Sequence, residues 1–307
     1  MVAVAQLVES RIVIPVVVGS SPISHPNKIS NSAVIDRHGF FVSGIHDQVT
    51  NLFAIVMPLS VIIIARNEEA NISDCLKSVN FADEILVLDS GSTDKTVEIA
   101  RSCGASVHVA QDWPGFGPQK NRVLALATGD WVLSLDADER VTPELRQEIL
   151  TVISRPDAPM CFCIPRSSWF CGRFIGHSGW TPDYVDRLFK AGSARFSDDL
   201  VHEKLLHGGP ATPLENPLLH YSHRSFSDVL LKIDRYSTAF SEQAFAQGRR
   251  ASVLGAVGHG LWAFIRTYLL KAGFLDGEHG LTLAIASAEG SYYRHLKLWR
   301  LGQLEQR

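Results

Sequence analysis

DWVLSLDADER, residues 130–140, reads as a buried strand that runs straight into acids. Trp131 to Leu135 is mostly apolar, and Asp136, Asp138 and Glu139 then fall within four positions. Acids at a strand end are ordinarily solvated turn residues, so their meaning depends on what the rest of the chain brings beside them.

Upstream, LSVIIIA (59–65) is a continuous β-branched run of the kind found in strands covered on both faces, and EEANISDCLKSV (68–79) has helical spacing at Ile72, Cys75, Leu76 and Val79. EILVLD (84–89) predicts a second strand, and TDKTVEIARSCG (93–104) a helix that Gly104 is placed to end. VHVA (107–110) follows as a strand and QKNRVLALATG (119–129) as a helix closed by glycine. Downstream, Pro143 stands at a first helical position and opens TPELRQEILTVIS (142–154). Strands separated by helices predict an α/β, Rossmann-like, doubly wound and mostly parallel sheet. Ligands on such sheets bind beyond the carboxyl ends of the strands. Those ends are Arg66-Asn67-Glu68, Asp89-Ser90-Gly91-Ser92 and Asp136-Ala137-Asp138, so three polar clusters converge on one rim.

Residues 155–225, rich in Pro, Gly, Trp, Phe and His, read as a loop-rich mixed region laid against the sheet; from Ser225 the pattern turns helical. The expected organisation is therefore a catalytic domain over 57–224 and a helical region over 225–307. With 307 residues, 46% of them hydrophobic and 20% charged, the chain can bury a sizeable core. A formal charge of -3 and the lack of a long basic run argue against nucleic acid as a partner. Five cysteines without paired CxxC elements suit a reducing compartment, with Cys161, Cys163 and Cys171 as small apolar residues rather than a metal site. The first 56 residues are atypical. IVIPVVV is too short to span a bilayer, and Gly19-Ser20-Ser21-Pro22 can be encoded as GGT TCG AGT CCC, the look of a transfer RNA T arm. The expectation is that translation starts at Met57 and that residues 1–56 are a non-native or disordered extension.

Asp136 and Asp138, one residue apart in an extended segment, can face one side and grip a hard divalent cation through oxygen. A metal held there would neutralise charge on a departing diphosphate. Asp89 can accept from a uracil ring N–H or from ribose, with Gly91 letting the backbone approach; Ser92, Thr93 and Asp94 serve equally well as caps of the next helix.

SVIIIARNEEANISDCLKSV, EILVLDSGSTDKTVEIA, the QKNRVLALATGDWVLSLDADER block and the later VHEKL together resemble the family 2 glycosyltransferases of the GT-A fold, especially the small bacterial branch that includes lipopolysaccharide-core β-1,4-glucosyltransferases. The resemblance is firm over Leu59 to Leu150 and looser through HYSHRSFSDVLLKIDRYS (220–237). It implies that Ala65, Arg66, Asn67 and Glu68 border the nucleotide, with Asp89 on the uracil and Ser90 beside it. It makes Asp136 and Asp138 the pair that holds Mg²⁺ or Mn²⁺, completed by His202, and Glu203 the general base. Asp183, Asp186 and Asp199 are the other acids open for that role, and a core or capping part is the alternative for His202. Lys120 and Asn121 match a polar pair near the nucleotide, a helix-surface position being the alternative. Trp169, Phe170 and Trp180 are either sugar-stacking rings or core, and Arg187 either binds diphosphate or pairs with Asp186 or Asp183. The reaction so implied is a single inverting displacement moving a hexose, glucose from UDP-glucose first among them, to a cell-envelope glycan.

Ala251 to Ile265 is apolar, interrupted by His259, with Arg249, Arg250, Arg266 and Lys271 near its ends and Trp262, Phe264 and Tyr268 in or beside it. Such a segment can lie in a headgroup plane, which predicts a peripheral protein on the cytoplasmic face, or it can pack on its own domain or a second subunit. Two other functions compete. A nucleotidyltransferase would want a Gly-rich basic loop where this chain has ARNEEAN, and a catalytically silent scaffold would not need intact Asp89, Asp136, Asp138 and Glu203.

Overall fold

The computed structural model describes residues 57–198 and 203–305. The expected late start at Met57 concerns residues 1–56, which lie outside the described residues, as do Asp199 and His202.

The first half alternates as its sequence predicts. β1 (Leu59–Ala65), α1 (Ile72–Ser78), β2 (Glu84–Asp89), α2 (Thr96–Ser102), β3 (Ser106–Val109), α3 (Phe116–Leu124), β4 (Trp131–Asp136), β5 (Glu139–Val141) and α4 (Pro143–Ile153) follow in turn. β3, β2, β1 and β4 lie side by side and all pair in parallel. Every residue of β1 is buried because both faces are covered. Val61 and Ile63 pack with Ile72, Leu76, Leu145 and Ile149 on one face, while Ile62 and Ile64 pack with Val123, Phe189 and Phe196 on the other. Thr142 caps α4 by accepting the Leu145 N–H at 3.1 Å, with Pro143 at the first helical position. α3 begins three residues before the sequence predicts and ends five sooner. Gly129 does not close it; instead it sits so tightly on β1 that a Cβ there would stand 2.7 Å from the Pro58 carbonyl oxygen.

Residues 155–225 are a correction. They are not mainly loop but supply the other half of the same sheet: β6 (Cys161–Phe170), β7 (Arg173–Phe174), β8 (Tyr184–Lys190), the short β11 (Thr212–Pro213) and β12 (Leu218–His223), while β9 (Ala194–Phe196) and β10 (Leu205–His207) pair as a separate two-stranded sheet. The order runs β3-β2-β1-β4-β8-β6-β12-β5, β8 antiparallel to both β4 and β6. β12 returns β5 to the sheet edge in antiparallel register, placing His220 opposite Glu139.

The C-terminal helices are α5 (Phe226–Ala246), α6 (Val253–Ile265), which passes through a π-helical turn (Arg266–Leu270), and α7 (Gly277–Glu305). α5 opens with a capping box in which Ser225 and Asp228 satisfy each other's backbone N–H groups. Val229 and Leu283 pack on Phe170 and Ile175, joining the helices to the sheet. Asp276, 1% exposed, fastens the same junction by accepting the N–H groups of Gly176 and His177, each at 3.0 Å. Gly280 is required there, since a Cβ would stand 1.8 Å from the Gly273 carbonyl oxygen. Gly280→Ala is expected to cost about 2–3 kcal/mol by overpacking; chemical unfolding checks it, and a cost below about 0.5 kcal/mol would show that the turn gives way. Val253–Leu270 is long and apolar enough to cross a membrane by length and composition, with a mean hydropathy of 1.3 and 22% of it buried.

Candidate active site

Asp136 closes β4 and lines a cleft of about 1220 Å³ at the carboxyl ends of β1 and β4. Its carboxylate is held from two sides. Lys120 Nζ is 2.9 Å from Oδ1, and Arg187 Nη2 is 2.5 Å from Oδ2. Arg187 also donates to Glu139 Oε1 at 2.8 Å, and the fully buried Glu139 accepts the Asp136 N–H at 2.9 Å through its other oxygen. Arg166 approaches Glu139 at 3.6 Å, and Lys120 reaches Glu203 at 2.8 Å. Three carboxylates and three cations thus compensate one another beneath the cleft floor. Burial alone would raise the Asp136 pKa, but the charges of Arg187 and Lys120 outweigh it and hold the group well below the usual carboxylate range. Burial likewise opposes the charge on Arg187, and Asp136 and Glu139 overcome it, pushing its pKa up.

Asp138, two residues on, also lines the cleft. Its Oδ2 is 3.4 Å from His220 Nε2, and His220 Nδ1 is 3.0 Å from the Ser168 hydroxyl. Burial raises its pKa, the hydrogen bond and charge of His220 lower it, and the balance lies below the ordinary value. The turn carrying both acids is fixed by Arg140, which donates to the carbonyls of Ala137 at 3.0 Å and Asn71 at 2.7 Å. Glu68, across the cleft, is raised by burial first and by the charge of Asp138 as well, against the hydrogen bond it accepts from Asn71. His223 is pushed down to about 4 by burial, Lys232 and His220, so it is neutral at pH 7.

Ala65, Arg66, Asn67 and Glu68 line the cleft as the rim argument requires. Asn67 holds a left-handed backbone (φ 57°) and accepts the Thr93 N–H at 2.8 Å, clipping the loop after β1 to the loop after β2. Asp89 is placed differently: 1% exposed, it accepts from the N–H groups of Gly91 (3.0 Å) and Ser92 (2.9 Å) and from the Ser92 hydroxyl, so it organises its own loop and is not in the cleft wall. Ser90 is buried too, accepting from Gln119 at 2.9 Å. Lys120 is a buried counterion rather than a helix-surface residue, and Asn121 clamps Phe196 of β9 through two hydrogen bonds, at 2.9 and 2.8 Å. Glu203 meets Lys120 and is not among the cleft-lining residues. Asp183 is, with Oδ2 held by Arg166 at 2.6 Å, whereas Asp186 lies 3.3 Å from His207. Arg187 pairs with neither Asp183 nor Asp186 but with Asp136 and Glu139. Trp180 lines the cleft; Phe170, 1% exposed, is core that borders it; Trp169 packs on Phe174 with ring centroids 4.9 Å apart. Sequence reasoning missed Glu139 and Arg166 as partners, and His220, Ser168 and Lys232 as cleft residues. The strand alternation around Arg166 and Ser168 in β6 carries that signal once the segment is read as a strand.

Among the described residues no group of three or more His, Cys, Asp and Glu is gathered as a metal cage. Asp138 with His220 offers oxygen and nitrogen donors at the cleft floor, a set compatible with Mg²⁺ or Mn²⁺ as a partial site; Asp136 is already neutralised by two cations.

Residues 60–203 match the model of glycosyl transferase family 2. Those residues form a family 2 glycosyltransferase domain. The chain is 28% identical over 257 residues to the lipopolysaccharide core biosynthesis glycosyltransferase LpsC of Rhizobium meliloti, covering 78% of this chain and 93% of that one. It is also 28% identical over 255 residues to an uncharacterized glycosyltransferase of Rickettsia typhi, covering 79% of this chain and 87% of that one. Among solved structures, glucosyl-3-phosphoglycerate synthase from Mycobacterium tuberculosis, in complex with Mn²⁺, UDP and glucosyl-3-phosphoglycerate, matches 38% of this glycosyltransferase at 29% identity. That match spans 45% of the solved chain, at a TM-score of 0.31. The fold is the expected GT-A α/β architecture with C-terminal helices.

Proposed function

We propose that this glycosyltransferase moves a hexose, glucose from UDP-glucose first among the donors, to a cell-envelope glycan such as lipopolysaccharide core, by inverting displacement. The observation that carries the reading is Asp136 and Asp138 facing one cleft at the strand ends, under a rim of Arg66, Asn67 and Glu68. The relative named for lipopolysaccharide core biosynthesis, matched over most of both chains, supports the acceptor class. Mg²⁺ or Mn²⁺ would be held by Asp138, with His220 beside it and His202 from outside the described residues, and when bound it supplies countercharge for the leaving diphosphate. The chain's own part is to orient the donor between the loops after β1 and β4 and to accept the proton of the attacking hydroxyl. Of the acids open for that step, Asp183 is the one lining the cleft among the described residues, so we assign it the base role, and Glu203 positions Lys120.

Leu254 (84% exposed), Leu261, Trp262 and Leu270 stud α6 and the turn after it, beside Arg249, Arg250 and Lys271. We take this face to rest on an anionic membrane surface, which would bring a lipid-anchored acceptor to the cleft.

The test is a panel of nucleotide sugars, following release of nucleoside diphosphate with Mn²⁺, with Mg²⁺ and with chelator, in wild type and in Asp183→Asn. Metal-dependent release from a UDP-hexose is expected, and Asp183→Asn should cut acceptor-dependent turnover by about 10²–10⁴-fold, the usual range for a general base. Absence of any metal-dependent UDP binding would return the silent scaffold, and undiminished turnover in Asp183→Asn would remove that residue from the base role.

A further inference from the structure

The cleft does not stop at the sheet. It continues into the crevice between α5, α6 and α7, and charge divides along its length. The sheet half carries Glu68, Asp136, Asp138 and Asp183 against Arg66 and Arg166. Lys232 stands at the boundary, donating to the Ser222 carbonyl at 2.6 Å and felt by Glu68 and Asp138, while the lining from the helices beyond it carries Arg235, Arg266 and Arg294 and no carboxylate. The nearby acids of α5 are turned to other tasks: Asp228 belongs to the capping box and Asp234 holds Lys297 at 2.7 Å. Tyr236, Ser287 and Ser291 add hydroxyls to the same wall. Three arginines from three consecutive helical segments, without a counter-carboxylate among the helical lining residues, form a field for an anion, and a cavity shared with the donor places that anion on the molecule being glycosylated.

We infer that the helical half of the cleft binds a phosphorylated saccharide acceptor through Arg235, Arg266 and Arg294. This rests on the transferase reading above and adds to it the chemical class of the acceptor. The phosphate fixes the acceptor's position by charge-assisted hydrogen bonds, with Arg offering paired donors to phosphate oxygens. The sugar itself extends towards Asp183 and Trp180 in the sheet half.

Binding of glucose 1-phosphate, glucose 6-phosphate and glucose to the full chain, with and without saturating UDP, decides the matter when set beside the double variant Arg266→Gln/Arg294→Gln. At least one phosphosugar is expected to bind about tenfold or more tighter than glucose, and the variant to lose about that factor while its UDP affinity stays within about twofold. No phosphosugar binding to the wild type, or binding no tighter than glucose, overturns the inference while leaving UDP binding, and with it the transferase reading, intact. A parallel loss of UDP affinity in the variant would assign the cations to the donor instead. A third arm uses vesicles of phosphatidylcholine with and without phosphatidylglycerol. Association with the anionic vesicles that the variant loses, without phosphosugar binding, would assign the cations to a lipid headgroup. Failure of UDP itself to bind would count against the transferase reading alone.

Discussion

Asp138→Asn is expected to lower kcat about 10²–10³-fold while leaving the protein folded, the loss usual when one electrostatic partner of a developing charge is removed. The asymmetry between the two neighbouring acids makes the result diagnostic. Asp138 has a 3.4 Å contact with His220, offset in part by burial and by the like charge of Asp136, so its charge is favoured in the fold but anchors no buried cation. Asp136 anchors both Lys120 and Arg187, and its loss leaves each of these buried cations with a single carboxylate, Glu203 and Glu139 respectively. Asp138→Asn should therefore unfold within about 1 kcal/mol of wild type, and Asp136→Asn should be destabilised by more. A second readout follows from Glu68: the charge of Asp138 helps raise its pKa, so Asp138→Asn should move Glu68 down, measurable by carboxyl NMR titration. Turnover within about threefold of wild type would remove Asp138 from the chemistry, since electrostatic partners at reacting centres are worth far more than that.

What was legible in the sequence, and what was not, divides by the range of the interactions. β1, β2 and β4 were readable because both faces are buried and β-branched runs leave no other plausible structure, and α4 because Thr142 and Pro143 mark its start within four residues. The rim followed, since strand ends are where such sheets place polar loops. β6, β8 and β12 were not readable as strands. One face of each carries cleft residues such as Arg166, Ser168, Asp183 beside β8, and His220, and Pro165 lies inside β6, so polarity and a breaker imitate loop. The partners of Asp136 were invisible for a different reason. Arg187 lies 51 residues away and Glu139 three, and no periodicity couples a β8 side chain to the turn after β4. The two acids read as one metal-binding pair thus stand in different surroundings: both line the cleft, but Asp136 is tied into a buried ion network with Glu139 and Asp138 is not.

That network predicts the largest stability effect in the molecule. Arg187→Met removes the guanidinium shared by Asp136 and Glu139 and leaves the fully buried Glu139 with Arg166 at 3.6 Å as its remaining ionic partner. Breaking a buried pair from one side costs about 3–5 kcal/mol, because the stranded charge keeps its desolvation penalty. At about 2–4 °C per kcal/mol for a domain of this size, Tm should fall by about 6–20 °C. The sign of the pH dependence follows from Asp136. Its folded pKa is depressed, so the stabilisation it draws from Arg187 and Lys120 is complete above the ordinary carboxylate value near ~4 and is lost as pH falls through the lower folded value. The gap between wild type and Arg187→Met should accordingly be widest near neutrality and narrow below about pH 4, as protons neutralise Asp136. Adding Glu139→Gln to the variant should recover part of the loss, because the side chain left behind is then polar but uncharged. Unfolding curves for the three proteins between pH 3 and 8 test this; a gap that is constant across that range, or smaller than about 1 kcal/mol, would mean that water reaches Glu139 and that the floor of the cleft is not the dry ion network seen here.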